Sequence, residues 1–184
     1  MNGKSTIKTV VAVGIGAALF FVLGRFVALP SGVPNTNISL QYAVLGLFAA
    51  IFGPVAGGLI GFIGHTLIDL SWGGSPWWSW VIASTLVGVI VGLSANSLKI
   101  ENGLFGRRQL TIYTLANVIA HAAAWMLVAP VLDILIYNEP SDKVFTQGMV
   151  AGGVNILTAV IIGALLIVAY TKTIAKPGSL DKEA

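Results

Sequence analysis

Long apolar runs separated by short polar turns organise this chain from one end to the other. After a polar start over Met1–Thr9, Val10–Leu29 is apolar over a length that crosses ~30 Å of hydrocarbon as a helix. Its one charge, Arg25, lies near the far end, where it either snorkels outward or faces a partner inside a bundle. Pro30-Ser-Gly-Val-Pro-Asn-Thr-Asn37 is a turn-rich loop. Ile38–Phe52 and Val55–Leu70 are shorter apolar runs joined by Gly53-Pro54, and they predict a tight helical hairpin, spanning or re-entrant. A tryptophan-rich turn, Ser71–Ser79, leads into the next span, Trp80–Leu98. Lys99–Gln109 is a polar loop. Leu110–Val128 is a further span, followed by Pro130 and by the short apolar run Val131–Tyr137, which contains Asp133. Asn138–Gln147 reads as a charged loop, Gly148–Tyr170 as the last span, and Thr171–Ala184 as a polar tail. The pattern predicts an all-α integral membrane protein, a single domain over 1–184 built as a bundle of six transmembrane helices. The expected spans are 10–29, 38–52, 55–70, 80–98, 110–128 and 148–170.

Composition sharpens this picture. Of 184 residues 56% are hydrophobic and only 9% charged, against about 25% charged in soluble domains. The lipid bilayer is therefore the expected solvent. The 22 glycines suit close approach of helices in lipid. The absence of cysteine excludes disulfides, thiolate metal sites and cysteine nucleophiles. The first apolar run is longer than a secretory signal and lacks its cleavage pattern, so it is expected to be retained. Six spans place both termini on one side, with Lys4, Lys8, Lys99, Arg107, Arg108, Lys172, Lys176 and Lys182, whereas the other side carries only Arg25 and Lys143. The positive-inside rule then puts both termini in the cytoplasm and the tryptophan-rich turn outside. The small net charge carries no nucleic-acid signature, and no phosphate-binding loop, nucleophile elbow or metalloprotease helix is present, so an enzyme is not expected.

The polar residues inside the spans gather towards the outer ends. His65 and Asp69 lie four apart on one helix face. Asn117, His121 and Trp125 repeat at the same spacing in the fifth span, Asn155 lies in the last span, and Ser84 and Thr85 lie in the fourth. Aromatic faces with a few donors and acceptors are what a pocket for a small, flat, polar ligand requires. The candidate contacts are Asn37, Asp69, Trp72, Asn117, His121, Trp125 and Asn155. Plainer readings stand beside this one. Trp72, Trp77, Trp78 and Trp80 also suit an interfacial aromatic belt, and Asn117 and Asn155 also suit interhelical hydrogen bonding. His65 and Asp69 also suit a bond to each other or a pairing with Arg25. No metal site and no cofactor are expected. In the first span Ala12/Gly16 and Gly14/Ala18 are interleaved pairs of small residues four apart. They offer close packing either within the bundle or against another membrane subunit.

With its length, its six expected spans and the segment Ala12-Val-Gly-Ile-Gly-Ala-Ala18, the chain resembles the substrate-binding S components of energy-coupling factor (ECF) vitamin importers. Pro34-Asn-Thr-Asn-Ile-Ser-Leu-Gln-Tyr42, Phe48-Ala-Ala-Ile-Phe-Gly-Pro54 and the stretch from Gly61 to Trp80 are similar to a branch associated with riboflavin or with hydroxymethylpyrimidine and pyridoxine. The resemblance implies high-affinity capture of a vitamin from outside a bacterial cell membrane. It also implies assembly with a transmembrane coupling protein and two cytoplasmic ATPase subunits that alone hydrolyse ATP. It further implies docking through the small-residue face of the first span, a gate formed by the loop Pro30–Asn37, and toppling of the subunit to release ligand. Pyridoxine or hydroxymethylpyrimidine is the expected ligand, with riboflavin next. A stand-alone secondary carrier and a structural membrane subunit are the alternatives from other classes.

Overall fold

In the computed structural model, which describes residues 3–174, the apolar runs are helical. The elements are α1 (Gly3–Phe26), a short antiparallel ribbon of β1 (Leu29–Pro30) and β2 (Asn37–Ile38), α2 (Gln41–Ser71), α3 (Trp78–Leu93), the single turn α4 (Ala95–Leu98), α5 (Arg107–Ala123), α6 (Ala129–Tyr137) and α7 (Ser141–Thr173). A 3-10 turn at Ile100–Asn102 precedes α5, and a π-helical turn at Ala124–Val128 joins α5 to α6. Among the described residues, five segments are long and apolar enough to cross a membrane: Ile7–Phe26, Gln41–Ser71, Trp78–Leu98, Arg107–Tyr137 and Ser141–Thr173. The protein is thus an all-α, membrane-integral bundle. Lys176 and Lys182, which entered the charge count, lie outside the described residues.

Five such segments stand where six spans are expected, because the third and second expected spans form one helical element, α2. Inside it the backbone leaves helical geometry at Gly53 (φ 84°, ψ −174°), directly before Pro54. Glycine tolerates positive φ because it has no Cβ, and proline disfavours helical backbone at the residue before it. The chain doubles back at this point. A Cβ on Gly57 would lie 2.8 Å from that of Ala49, whereas residues eight apart on a straight helix are ~12 Å apart. Tyr42 and His65, at the far ends of the two arms, both hydrogen-bond Ser84.

The fifth expected span also runs further than its pattern suggests, from Arg107 to Tyr137. Pro130 sits at the start of α6, immediately after the π-helical turn. Proline removes one N–H and crowds the preceding turn, and the widened turn accommodates that without ending the helix. The last helix begins at Ser141, seven residues before its apolar run, with Pro140 at its N-cap and Asp142 in its first turn. Proline just ahead of the helix and an acid near its N-terminus both favour the start there.

The α2 hairpin lies centrally, packed against α1, α3 and α7. Phe20, Leu45, Ile60, Val87, Tyr113 and Ile167 are fully buried around it. Its second arm crosses α3 backbone to backbone: a Cβ on Gly57 would meet the carbonyl of Gly88, and one on Gly88 would meet the carbonyl of Gly57. Gly61 and Gly92, four residues further along each helix, repeat the arrangement against Ser84 and Pro54. In lipid, where apolar surface is not squeezed out of water, such close approach maximises dispersion contacts.

The small residues of α1 divide between two faces. Ala12 and Gly16 are buried in the bundle, with Gly16 against Ile60 and Phe48, whereas Gly14 and Ala18 are exposed. Positions two apart on a helix lie ~200° apart around its axis, so the two pairs cannot form one face.

Gly88→Ala is expected to lower the thermal unfolding temperature of the detergent-purified protein, since overpacking costs roughly 1–3 kcal/mol. Gly14→Ala, whose Cβ would meet nothing within 4 Å, is expected to leave it unchanged. Equal unfolding temperatures for the two variants would refute the close crossing.

Candidate ligand-binding site

One end of the bundle holds a cavity of about 650 Å3, lined by the loop around Asn35–Asn37, the ends of α2 and α3, the α5–α6 junction and the start of α7. A buried carboxylate organises its rim. Asp133, 2% exposed, accepts the indole N–H of Trp77 at 2.6 Å on Oδ1 and the indole N–H of Trp80 at 2.9 Å on Oδ2. The Ser79 hydroxyl also donates to Oδ1. Three donors converge on one side chain because α3 starts with Trp78-Ser-Trp80, whose first turn faces α6. Trp77 is held twice more: its ring stacks on Tyr137 at a centroid distance of 4.0 Å, and its backbone N–H donates to Asp69 Oδ2 at 2.8 Å. Asp69 therefore supplies an acceptor at the α3 N-terminus, where free N–H groups and the helix dipole favour it. The Trp78 backbone N–H donates to the Tyr137 hydroxyl at 2.9 Å. Hydrogen bonds to a buried charged acceptor are among the stronger ones, at about 1.5–3 kcal/mol each.

Beneath the rim, Ser84 joins Tyr42, at 2.7 Å, to His65 Nδ1, at 2.5 Å, and His65 Nε2 lies 3.7 Å from Asp69 Oδ1. His65 and Asp69 thus lie close to each other but beyond hydrogen-bond distance, and neither pairs with Arg25 among the described residues. Arg25 instead places its guanidinium 3.8 Å from the ring centroid of Trp72, a cation–π contact. The Trp125 ring packs edge-on to Tyr42 and Trp80 and stacks against His65. The loop over the cavity is closed by its own bonds, including the Ser31 hydroxyl to the Thr36 carbonyl at 2.6 Å. It is tied to α7 by the Gln147 amide, which donates to the Pro34 carbonyl at 2.8 Å. Lys143 and Glu139 pair at 2.6 Å on the rim.

Five of the seven residues expected from sequence line this cavity: Asn37, Asp69, Trp72, Trp125 and Asn155. Asn117 and His121 do not. Both are fully buried, one layer behind the wall, where the His121 ring packs edge-on to Tyr42. His121 Nδ1 donates to the Asn117 carbonyl at 2.9 Å, which leaves Nε2 as an acceptor. That atom, Asn117 Oδ1 and the Trp125 indole N–H are buried without hydrogen-bond partners among the described residues. The stripe thus exists, but its two polar members lie deeper than its tryptophan. Asp133, Tyr42, Gln147 and the Glu139–Lys143 pair were not among the expected residues. For Asp133 the signal was present: one carboxylate in an apolar run marks a site by default in a membrane helix. Among the described residues, no group of three His, Cys, Asp or Glu side chains is placed to hold a metal ion.

The chain is similar to known proteins along nearly its whole length. The family described as ECF-type riboflavin transporter, S component, matches residues 4–172. A UPF0397 protein of Clostridium perfringens (strain SM101 / Type A) is 53% identical over 182 residues, covering 99% of this chain and 98% of the relative. A UPF0397 protein of Exiguobacterium sp. is 51% identical over 184 residues, covering 100% of both. One of Streptococcus gordonii is 53% identical over 178 residues, covering 97% of this chain and 95% of the relative. No solved structure matches the chain significantly.

Asp133→Ala is expected to release Trp77, Ser79 and Trp80 and to destabilise the protein by about 3 kcal/mol, the loss of charged-acceptor hydrogen bonds discounted for rearrangement. The measurements are the unfolding temperature and the near-ultraviolet circular dichroism of the tryptophans. An unchanged tryptophan signal would show that Asp133 does not organise the rim.

Proposed function

The chain belongs to the ECF-type riboflavin transporter S component family, and we propose that it is the high-affinity binding subunit of an ATP-driven importer for a small heteroaromatic vitamin or precursor. Membership makes it a substrate-binding subunit for vitamin uptake and not an enzyme. The observation that carries the finer reading is the cavity of about 650 Å3, walled by Tyr42, Trp72, Trp77, Trp80 and Trp125. That volume is within the usual range for small-molecule sites. Among the vitamins without net charge, the aromatic faces favour pyridoxine or hydroxymethylpyrimidine, with riboflavin next. Asn37, Asp69, Trp72, Trp125 and Asn155 are the proposed contacts, and Asn117 and His121 support the wall from behind.

In this reading the two arms of the α2 hairpin each count as a span. The first arm, of 12 residues from Gln41, is ~18 Å long, so it crosses only with its flanking residues or where the bilayer thins. The resulting six spans put both termini in the cytoplasm of a bacterial cell and the cavity on the outer side, as the basic residues of the loops favour. The loop over Pro30–Asn37 gates the cavity. A transmembrane coupling protein and two cytoplasmic ATPase subunits supply the energy. The coupling protein docks on α1 through Gly14 and Ala18, the pair left exposed, while Ala12 and Gly16 serve packing within the bundle.

Native mass spectrometry of the protein gently purified from cells grown on rich medium is expected to reveal a bound molecule with the mass of a small heteroaromatic vitamin or precursor. An empty protein that binds none of the three by calorimetry would overturn the proposal. Trp72→Ala and Asn155→Ala are each expected to weaken binding about tenfold or more, equivalent to ~1.4 kcal/mol. Exchange of Gly14 and Ala18 for leucine is expected to leave vitamin affinity intact and to abolish co-purification of the coupling protein. Loss of vitamin binding without loss of co-purification would reverse the assignment of that face.

A further inference from the structure

We infer that the cavity selects a heteroaromatic ligand that carries a positive charge, an inference that rests on the cavity being the ligand site. Its lining contains three carboxylates, Asp69, Asp133 and Glu139, but one ammonium, Lys143. Lys143 is already paired with Glu139 at 2.6 Å. Asp69 and Asp133 are left without a lysine or arginine partner among the described residues. The Arg25 guanidinium, on the Trp72 ring, forms no ion pair there. Asp133 has neutral donors on both oxygens. Asp69 has one on Oδ2, while its Oδ1 has only His65, at 3.7 Å.

An anion entering this site would meet two uncompensated carboxylates in a low-dielectric surrounding, where repulsion is weakly screened. A cation would supply the missing partner. Five aromatic rings line the same space, and aromatic walls attract organic cations through their electron-rich faces. One further group marks where a neutral polar atom of the ligand lies. The Asn155 side chain, 4% exposed, lines the cavity without a side-chain hydrogen bond among the described residues. The ligand thus presents a cationic group towards Asp69 Oδ1 and a neutral polar group towards Asn155. A ring bearing an amine or a quaternised nitrogen together with a hydroxyl or ring nitrogen has that pattern.

The test is isothermal titration calorimetry of the purified full chain with two cationic probes, pyridoxamine and thiamine, and two probes without net charge, pyridoxine and riboflavin. The tighter cationic probe is expected to bind at least about tenfold better than either uncharged one. Asp69→Asn retains an acceptor for the Trp77 N–H but not the charge. It is expected to weaken that cation about tenfold or more and the uncharged probes less than about twofold. If pyridoxine or riboflavin binds the unmodified protein as tightly as the cations, the charge inference falls and the ligand-site reading stands. The same holds if Asp69→Asn, with its unfolding temperature preserved, keeps the original preference. If none of the four binds, the charge inference falls, and the ligand-site reading falls with it when hydroxymethylpyrimidine also fails to bind.

Discussion

A buried carboxylate needs donors, and the cavity end of this protein is built around the way Asp133 finds them. With apolar helices on all sides and no lysine or arginine pairing with it among the described residues, the side chain is satisfied by two indoles and a hydroxyl from the Trp77–Trp80 turn. That requirement draws the start of α3 onto α6. It directs the indole N–H groups of Trp77 and Trp80 onto the carboxylate, and it leaves their rings as cavity wall. Asp69 completes the arrangement from α2 by accepting the Trp77 backbone N–H, so two acids on different helices hold one turn. The turn is consequently a rigid part of the site rather than a loop laid over it.

The remaining geometry follows from how closely the helices approach. The α2 hairpin reverses at Gly53 and meets α3 through Gly57 and Gly88 with no side chain between the backbones. This brings Tyr42 and His65, from opposite arms, to the same hydroxyl of Ser84. The polar network below the rim thus depends on glycines some distance from it. A bulkier residue at the crossing would move the Ser84 hub before it touched the cavity.

Much of this was legible along the chain. Apolar run lengths located the helices, Gly53-Pro54 located the reversal, and the gathering of polar residues towards one end of the spans located the cavity end. What could not be read was which side of a helix each residue shows once the helix departs from ideal geometry. The repeat of Asn117, His121 and Trp125 gave a stripe but not its depth, because depth depends on Tyr42 from another helix standing in front of His121. Asp133 stood out as an acid in an apolar run, but Pro130, which reads as a terminator when an ideal α-helix is assumed, cut it off from the stripe of the preceding span. The two small pairs of α1 are separable by the period of the helix alone, and only their burial tells which one faces the bundle.

The π-helical turn at Ala124–Val128 governs angular phase. Trp125 and Asp133 are eight positions apart, which on an uninterrupted α-helix turns them ~80° away from each other. A π-turn inserts one residue without its share of rotation, which brings the pair to within ~20°. The same insertion that lets the helix pass Pro130 therefore acts as a phase corrector, setting the indole and the carboxylate on one meridian of the cavity. Its length in residues, more than the identity of any one of them, is the quantity on which that alignment depends.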